Sequence, residues 1–232
     1  MLRKEECLLC HAPLIYLPAQ EEMRCALCHT VHLSNARCEN GHYICDACHQ
    51  KEGLAAIRRM CLASSSKNPM AIAREIMGSP FIHMHGPEHH VLVGACLLAA
   101  YANAGGRLDL PAALLEMEHR GSQVPGGICG LWGCCGAAVS AGIYWSIVTE
   151  ASPLSTKAWR QANELTARCL TAIAKLGGPR CCKRDSFTAI LVAADMTRTV
   201  LHIPLAEDPN PVCGHSWRNA QCIGQKCPYW AG

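Results

Sequence analysis

The chain has 232 residues, half of them hydrophobic and only 17% charged, enough to bury one helical core and a small appendage. Its 21 basic and 18 acidic residues leave a net charge of +3, far from the basic surface that phosphate-backbone binding requires, so no nucleic-acid partner is expected. The 18 cysteines follow an N-terminus with no apolar stretch of signal-peptide length; a cytoplasmic protein using cysteine for metal or redox chemistry is expected.

Residues 1–50 hold seven cysteines and five histidines but too little apolar material for a core, so metal must hold this module together. Helical periodicity begins near Gln50 with Leu54, Ile57 and Cys61. After Ser64–Lys67, a linker, Asn68 caps a short helix with Pro69 at its first position, closed by Gly78-Ser79-Pro80. The next helix opens at Pro87 and is apolar on almost every face up to Gly105, which places it at the centre of a bundle. Asp109 starts another, ending at Gly121.

Val124 to Thr149 carries no charge and is long enough to test as a membrane span. Its seven glycines and prolines from Pro125 to Gly142 argue instead for a loop followed by a tightly packed core helix. No membrane association is expected. Ser155 caps a long amphipathic helix with Trp159, Ala162, Thr166, Cys169, Leu170, Ile173 and Leu176 inward, stopped at Gly177. Asp185 or Ser186 caps the last helix. The fold expected is mainly α: a helical bundle over 51–207, preceded by a small zinc-ribbon or RING-like treble-clef module over 1–50. A cysteine-rich tail over 208–232 packs on the bundle.

In the module the order is Cys7-x2-Cys10, Cys25-x2-Cys28, Cys38-x3-His42, Cys45-x2-Cys48. Four pairs of soft ligands suit two tetrahedral zinc ions, because a two-residue spacer brings both thiolates of a knuckle to one metal. From Cys25 to Cys48 this resembles the first six ligands of a RING finger, with Cys7 and Cys10 supplying the missing pair from the front. An interleaved pairing puts Cys25, Cys28, Cys45 and Cys48 on one ion and Cys7, Cys10, Cys38 and His42 on the other. A sequential ribbon, with Cys7, Cys10, Cys25 and Cys28 together, is the alternative. The departure from RING order speaks against ubiquitin-ligase activity. His29, His32 and His49 face solvent or support the ligands.

A second constellation lies in the helical domain. HMHGPEHH sets His85, Glu88 and His89 at a helix beginning, where free N–H groups and partial positive charge favour an anion. PGGICGLWGCCGAA supplies Cys129 and Cys135, and GGPRCCKRDSF supplies Cys181 and Cys182 among Arg180, Lys183 and Arg184, cations that favour thiolates. Imidazole and thiolate are natural co-ligands, so these clusters are expected to meet in one working site at one end of the bundle. In the tail, Cys213, Cys222 and Cys227-Pro228 have an iron–sulfur character that needs a fourth thiolate; zinc or no metal are the alternatives. Cys61, Cys96 and Cys169 fall on apolar faces and are core residues.

With CENGHYICDAC, MHGPEHHVLV, PGGICG, CCGAA, GGPRCCKRDSF and CPYW in view, the chain resembles the prokaryotic domain of unknown function 5714. That resemblance implies association with S-adenosylmethionine-dependent methyltransferases or radical enzymes as partners. CCGAA and the Cys181-Cys182 pair are more weakly similar to redox-active proteins named for a C-GCAxxG-C-C pattern. The function expected is metal-dependent redox, sulfur-handling or group-transfer chemistry. A non-catalytic zinc adaptor for a partner methyltransferase and an iron–sulfur lyase or desulfidase are the alternatives.

Overall fold

The computed structural model describes residues 7–208 and 210–231; the N-terminal residues before Cys7, on which the expectation against export partly rests, lie outside them. Strands β1 (Leu14–Arg24) and β2 (Val31–Cys38) form an antiparallel hairpin running from Leu14 opposite Cys38 to Arg24 opposite Val31, with a register shift between Tyr16 and Glu21. Tyr16, Val31 and Leu33 face outward, Leu33 being 66% exposed, and Met23 alone of the non-cysteine hydrophobes in the strands is buried. No hydrophobic layer of its own holds this hairpin.

Helix α1 (Asp46–Ala63) starts four residues ahead of the periodicity that announces it and runs through position 50 without a break. Its first turn therefore belongs to the cysteine module while Leu54, Ile57 and Cys61 sit in the main core. Then come α2 (Pro69–Met77), capped by Asn68 as expected, α3 (His89–Asn103), α4 (Leu110–Gly121) and the single turn α5 (Ile128–Leu131). They are followed by α6 (Gly136–Val148), α7 (Lys157–Leu176) and α8 (Cys182–Val200). The tail is coil with two short 3-10 turns, and Tyr229 docks on α8 through a 2.9 Å hydroxyl contact with Thr188 and an edge-on contact with Phe187. No helix among the described residues is long and apolar enough to cross a membrane.

Three helix starts differ from expectation. Pro87 and Glu88 form the turn before α3, whose ladder begins at His89. Thr156, not Ser155, stands at the cap of α7, because the Ser155 hydroxyl instead accepts from the Ser152 amide at 3.0 Å. Helix α8 begins ahead of Asp185: Cys181 is its cap, with Sγ accepting from the Arg184 amide at 3.5 Å, and Asp185 is buried in the first turn. On α7 the expected inward residues Ala162, Cys169, Leu170, Ile173 and Leu176 do pack on the core, joined by Gln161 and Leu165, but Trp159 is 52% exposed.

Helices α1, α3, α6 and α8 run parallel, since contacts between them climb both partners together. His90 lies against Gly136 and the Gly94 amide donates to Ser140 Oγ at 2.9 Å. Cys135 faces Asp185, and farther up Tyr144 meets Thr197 at 2.9 Å. His49 faces Glu88, and Cys61 faces Cys96. Antiparallel α4 and α7 fill the gaps, Gly121 lying against His90 and Met117 against Gly94, and Gly142 against Thr166. Four helix N-termini consequently gather at one end of the bundle, beside the module.

Candidate metal centres and a buried lysine site

The module brings its eight ligands together as two interleaved quartets. The ligand atoms of Cys7, Cys10, Cys38 and His42 lie within 4.8 Å of one another, and so do those of Cys25, Cys28, Cys45 and Cys48. Local geometry explains both. After each knuckle the chain turns back through a left-handed residue, His11 (φ 58°) or His29 (φ 60°), whose amide donates to the carbonyl of the first cysteine. Backbone amides of Leu9, Leu27, Cys45 and His42 point at Cys7, Cys25, Cys25 and Cys38 Sγ at 3.2–3.5 Å. His42 presents Nδ1 to Cys10 Sγ at 3.2 Å. Such donors stabilise thiolate: the Ala12 amide leads in holding Cys10 down to about 6. At Cys25 burial pushes the other way, yet the amides of Cys28, Cys45 and Leu27 still bring it to about 6. Cys48, half-buried beside its three companions, goes up to about 12 through desolvation and those neighbouring thiols. A cation at the centre of each quartet is what permits all its thiols to ionise together. Both quartets could hold a metal ion, and among the described residues they are the only groups of three or more candidate ligands so tightly gathered.

Beyond the second quartet, α1 carries the contact inward. His49, next to Cys48, stands with Nδ1 3.6 Å from Glu88 Oε2 and its ring 4.5 Å from that of His83. Glu88 is fully buried, and its other oxygen accepts from the His83 amide at 3.0 Å. Gly86 and Gly53 make room for it, since a Cβ on Gly86 would fall 2.1 Å from Glu88 Oε2. Burial raises the carboxyl pKa, but the contacts around it, with the facing His49 imidazole first among them, hold Glu88 at about 2.

His89 is 1% exposed and donates from Nδ1 to the Gly86 carbonyl at 3.1 Å, which fixes the tautomer and leaves the Nε2 lone pair as acceptor. Its partner there is Lys183 Nζ at 3.1 Å, on a side chain also 1% exposed. Burial, helped by Lys183, drives His89 well below its ordinary value, so the imidazole is neutral. Burial brings Lys183 down to about 8 against the pull of Glu88 and Cys182. Sequence reasoning treated Lys183 as a cation flanking the thiols; its position one helical turn from Phe187, a core residue, is the signal that would have placed it inside.

The expected cysteines reach the same end of the bundle by different routes. Cys135 caps α6 with Sγ 3.9 Å from Asp185 Oδ2, and Cys129 is near enough to disfavour its ionisation. Cys182 accepts from the Gly86 backbone. Cys181 Sγ accepts from Asn219 Nδ2 at 3.4 Å, and Asn219 Oδ1 in turn meets His85 Nε2 at 3.3 Å. Arg184, buried, spans from the Asp185 carboxylate at 3.0 Å to the Pro179 carbonyl at 2.9 Å. The cations do not produce reactive thiolates: burial pushes Cys135 up to about 12, Cys181 up to about 11 and Cys182 higher still. Asn219, His49 and the buried role of Asp185 were not legible in the sequence. Cys213, Cys222 and Cys227 line one small cavity with Cys181, Met84, Arg184 and Asn219.

No curated protein and no solved structure matches this chain. A family model does match, over residues 57–230, which takes in the helical domain and tail and leaves the cysteine module outside. With three quarters of its length so matched, the chain belongs to the family of unknown function DUF5714.

Proposed function

We propose that this chain is a cytoplasmic metal-dependent redox, sulfur-handling or group-transfer protein that works at the gathered N-termini of α3, α6 and α8. In this reading Lys183, His89 and Glu88 handle charge and protons beside metal-bound thiolates, and a zinc-bearing, treble-clef-like module braces that end. One observation carries it: Lys183 is buried against the neutral ring of His89, at 3.1 Å, amid thiols that burial keeps protonated. Burying an amine without an ion-paired contact costs stability, and such arrangements cluster at working sites. Thiols with raised pKa values become thiolates when a metal replaces their protons, so the chemistry is metal-dependent rather than that of a free dithiol. S-adenosylmethionine-dependent methyltransferases or radical enzymes are the partners proposed.

Anaerobic purification of the full chain followed by metal analysis tests this. Two zinc ions and a further transition metal per chain are expected. Two zinc ions alone would overturn it in favour of the adaptor reading, which the 70% exposure of Trp132 and Trp217 favours as contact points for a partner.

A further inference from the structure

Cys181 is separated from the tail cysteines by the whole of α8, yet all four thiols line one cavity. Cys181, Cys213, Cys222 and Cys227 surround it, with Arg184 and His215 as basic groups and Met84, Tyr229 and Trp230 as apolar wall. The tail is tied there by backbone bonds: the Cys213 amide donates to the Tyr229 carbonyl at 2.7 Å, and the Trp230 amide donates to Cys227 at 3.1 Å. Amide groups aim at the sulfurs from all around. The His215 amide donates to Cys213 Sγ at 3.4 Å, the Gly224 amide to Cys222 Sγ at 3.4 Å, and Arg184 N and Asn219 Nδ2 to Cys181 Sγ at 3.5 and 3.4 Å.

The module supplies an internal comparison. There, sulfurs of one quartet approach to 3.7 Å (Cys28–Cys45) and 3.8 Å (Cys10–Cys38), and each quartet fits within 4.8 Å. The cavity quartet is not drawn together in that way. Four thiolates on one ion must nearly touch, whereas a cluster places a separate iron or a bridging sulfide between them and holds them apart. Hydrogen bonds to the ligand sulfurs and nearby positive charge suit the anionic character of a cluster with four thiolates.

We propose that Cys181, Cys213, Cys222 and Cys227 hold an iron–sulfur cluster, with Cys181 as the fourth ligand that the tail lacks. This rests on the metal-dependent reading above and identifies its metal. Ferrous and ferric iron, supplied together with inorganic sulfide, assemble there as each thiol loses its proton to solvent, so the mixed-valence cluster forms without any further electron transfer. The cluster would lie one hydrogen-bonded step, through Asn219, from His85.

The full chain, purified anaerobically or reconstituted with ferrous and ferric iron and sulfide, is expected to contain iron and acid-labile sulfide in equal amounts with a broad visible absorption. Cys181→Ser, and separately Cys213→Ser or Cys222→Ser, should lose most of that absorption and iron while keeping two zinc ions and the helical circular dichroism. Cys134→Ser, at a half-buried thiol outside the cavity, should keep both. Iron retained in Cys181→Ser, or lost only in Cys135→Ser or Cys182→Ser, overturns the assignment while leaving metal dependence standing. A further metal that proves to be zinc without sulfide overturns the cluster; no metal beyond the module's two ions overturns the broader reading as well. Iron-edge X-ray absorption on the unaltered chain gives a decision even if Cys181→Ser fails to fold: short iron–iron scattering with sulfur neighbours is expected, and its absence refutes the cluster.

Discussion

Glu88 shows how one residue joins the halves of the site. Itself fully buried, it meets His49 of α1 at 3.6 Å, His89 of α3 at 3.5 Å and the His83 amide at 3.0 Å. Its surroundings hold its pKa down from an ordinary 4.5 to about 2. A carboxyl with a depressed folded pKa adds stability above its unfolded value, and that stability is lost as pH falls from about 4.5 toward 2. The depression corresponds to roughly 3 kcal/mol. Glu88→Gln is therefore expected to be less stable than the parent at neutral pH, with the gap closing in acid; urea unfolding at several pH values measures it, and a gap independent of pH would show that the charge is not what stabilises. The HGPEHH motif advertised Glu88 and His89 because polar residues crowd there at the mouth of an apolar helix. It could not advertise His49 or Asn219, whose roles arise from the docking of α1 and of the tail.

At the scale of elements, the parallel packing of α3 and α6 depends on small residues facing one another. Gly94 lies where α3, α4 and α6 meet, and a Cβ there would stand 2.2 Å from Met117 Sδ and 2.9 Å from the Ser140 carbonyl oxygen. Met117 can swing, but the Ser140 backbone can move only with α6. Gly94→Ala should destabilise the bundle by about 1–3 kcal/mol in chemical denaturation. Gly130→Ala, where a Cβ would meet nothing within 4 Å, serves as the control; equal effects of the two substitutions would contradict the close-approach account. The helices themselves were legible, since periodicity, Asn68-Pro69 and Asp109 mark their extents and caps. Helix starts at cysteines were not. Cys45, Cys135 and Cys181 occupy the cap positions of α1, α6 and α8, and cysteine carries little of the capping signal of serine or aspartate. Trp159 misled for a different reason: hydrophobicity put it inside, whereas the turn of α7 against α6 presents Gln161 and Leu165.

Across the whole molecule the cysteine module and the bundle are joined by one helix and a few contacts at the end where α1, α3, α6 and α8 begin. Helix α1 takes Cys48 in its first turn and Ile57 and Cys61 into the core. Asp46 Oδ2 accepts from the Gly126 amide at 2.7 Å, Arg180 lies 5.6 Å from the ring of Tyr16, and His49 faces Glu88. Both quartets could hold a metal ion; a module without its own apolar core then folds with it, so chelation should release the hairpin and fray the first turn of α1. The loss is expected to travel to Gly126, whose acceptor rides on that turn, and stop short of α3, almost wholly buried, and of α6, whose Ala137, Ala138, Ala141, Tyr144 and Trp145 are in the core. Hydrogen exchange on the full chain before and after chelation measures it. Residues 7–48 and the Gly126 amide should lose protection, while Leu92–Leu98 and Ala137–Ala141 keep theirs. Exchange that rises only in residues 7–45, with Gly126 unchanged, would make the module a separable appendage, and uniform loss through α3 would make the metal a requirement for the bundle itself.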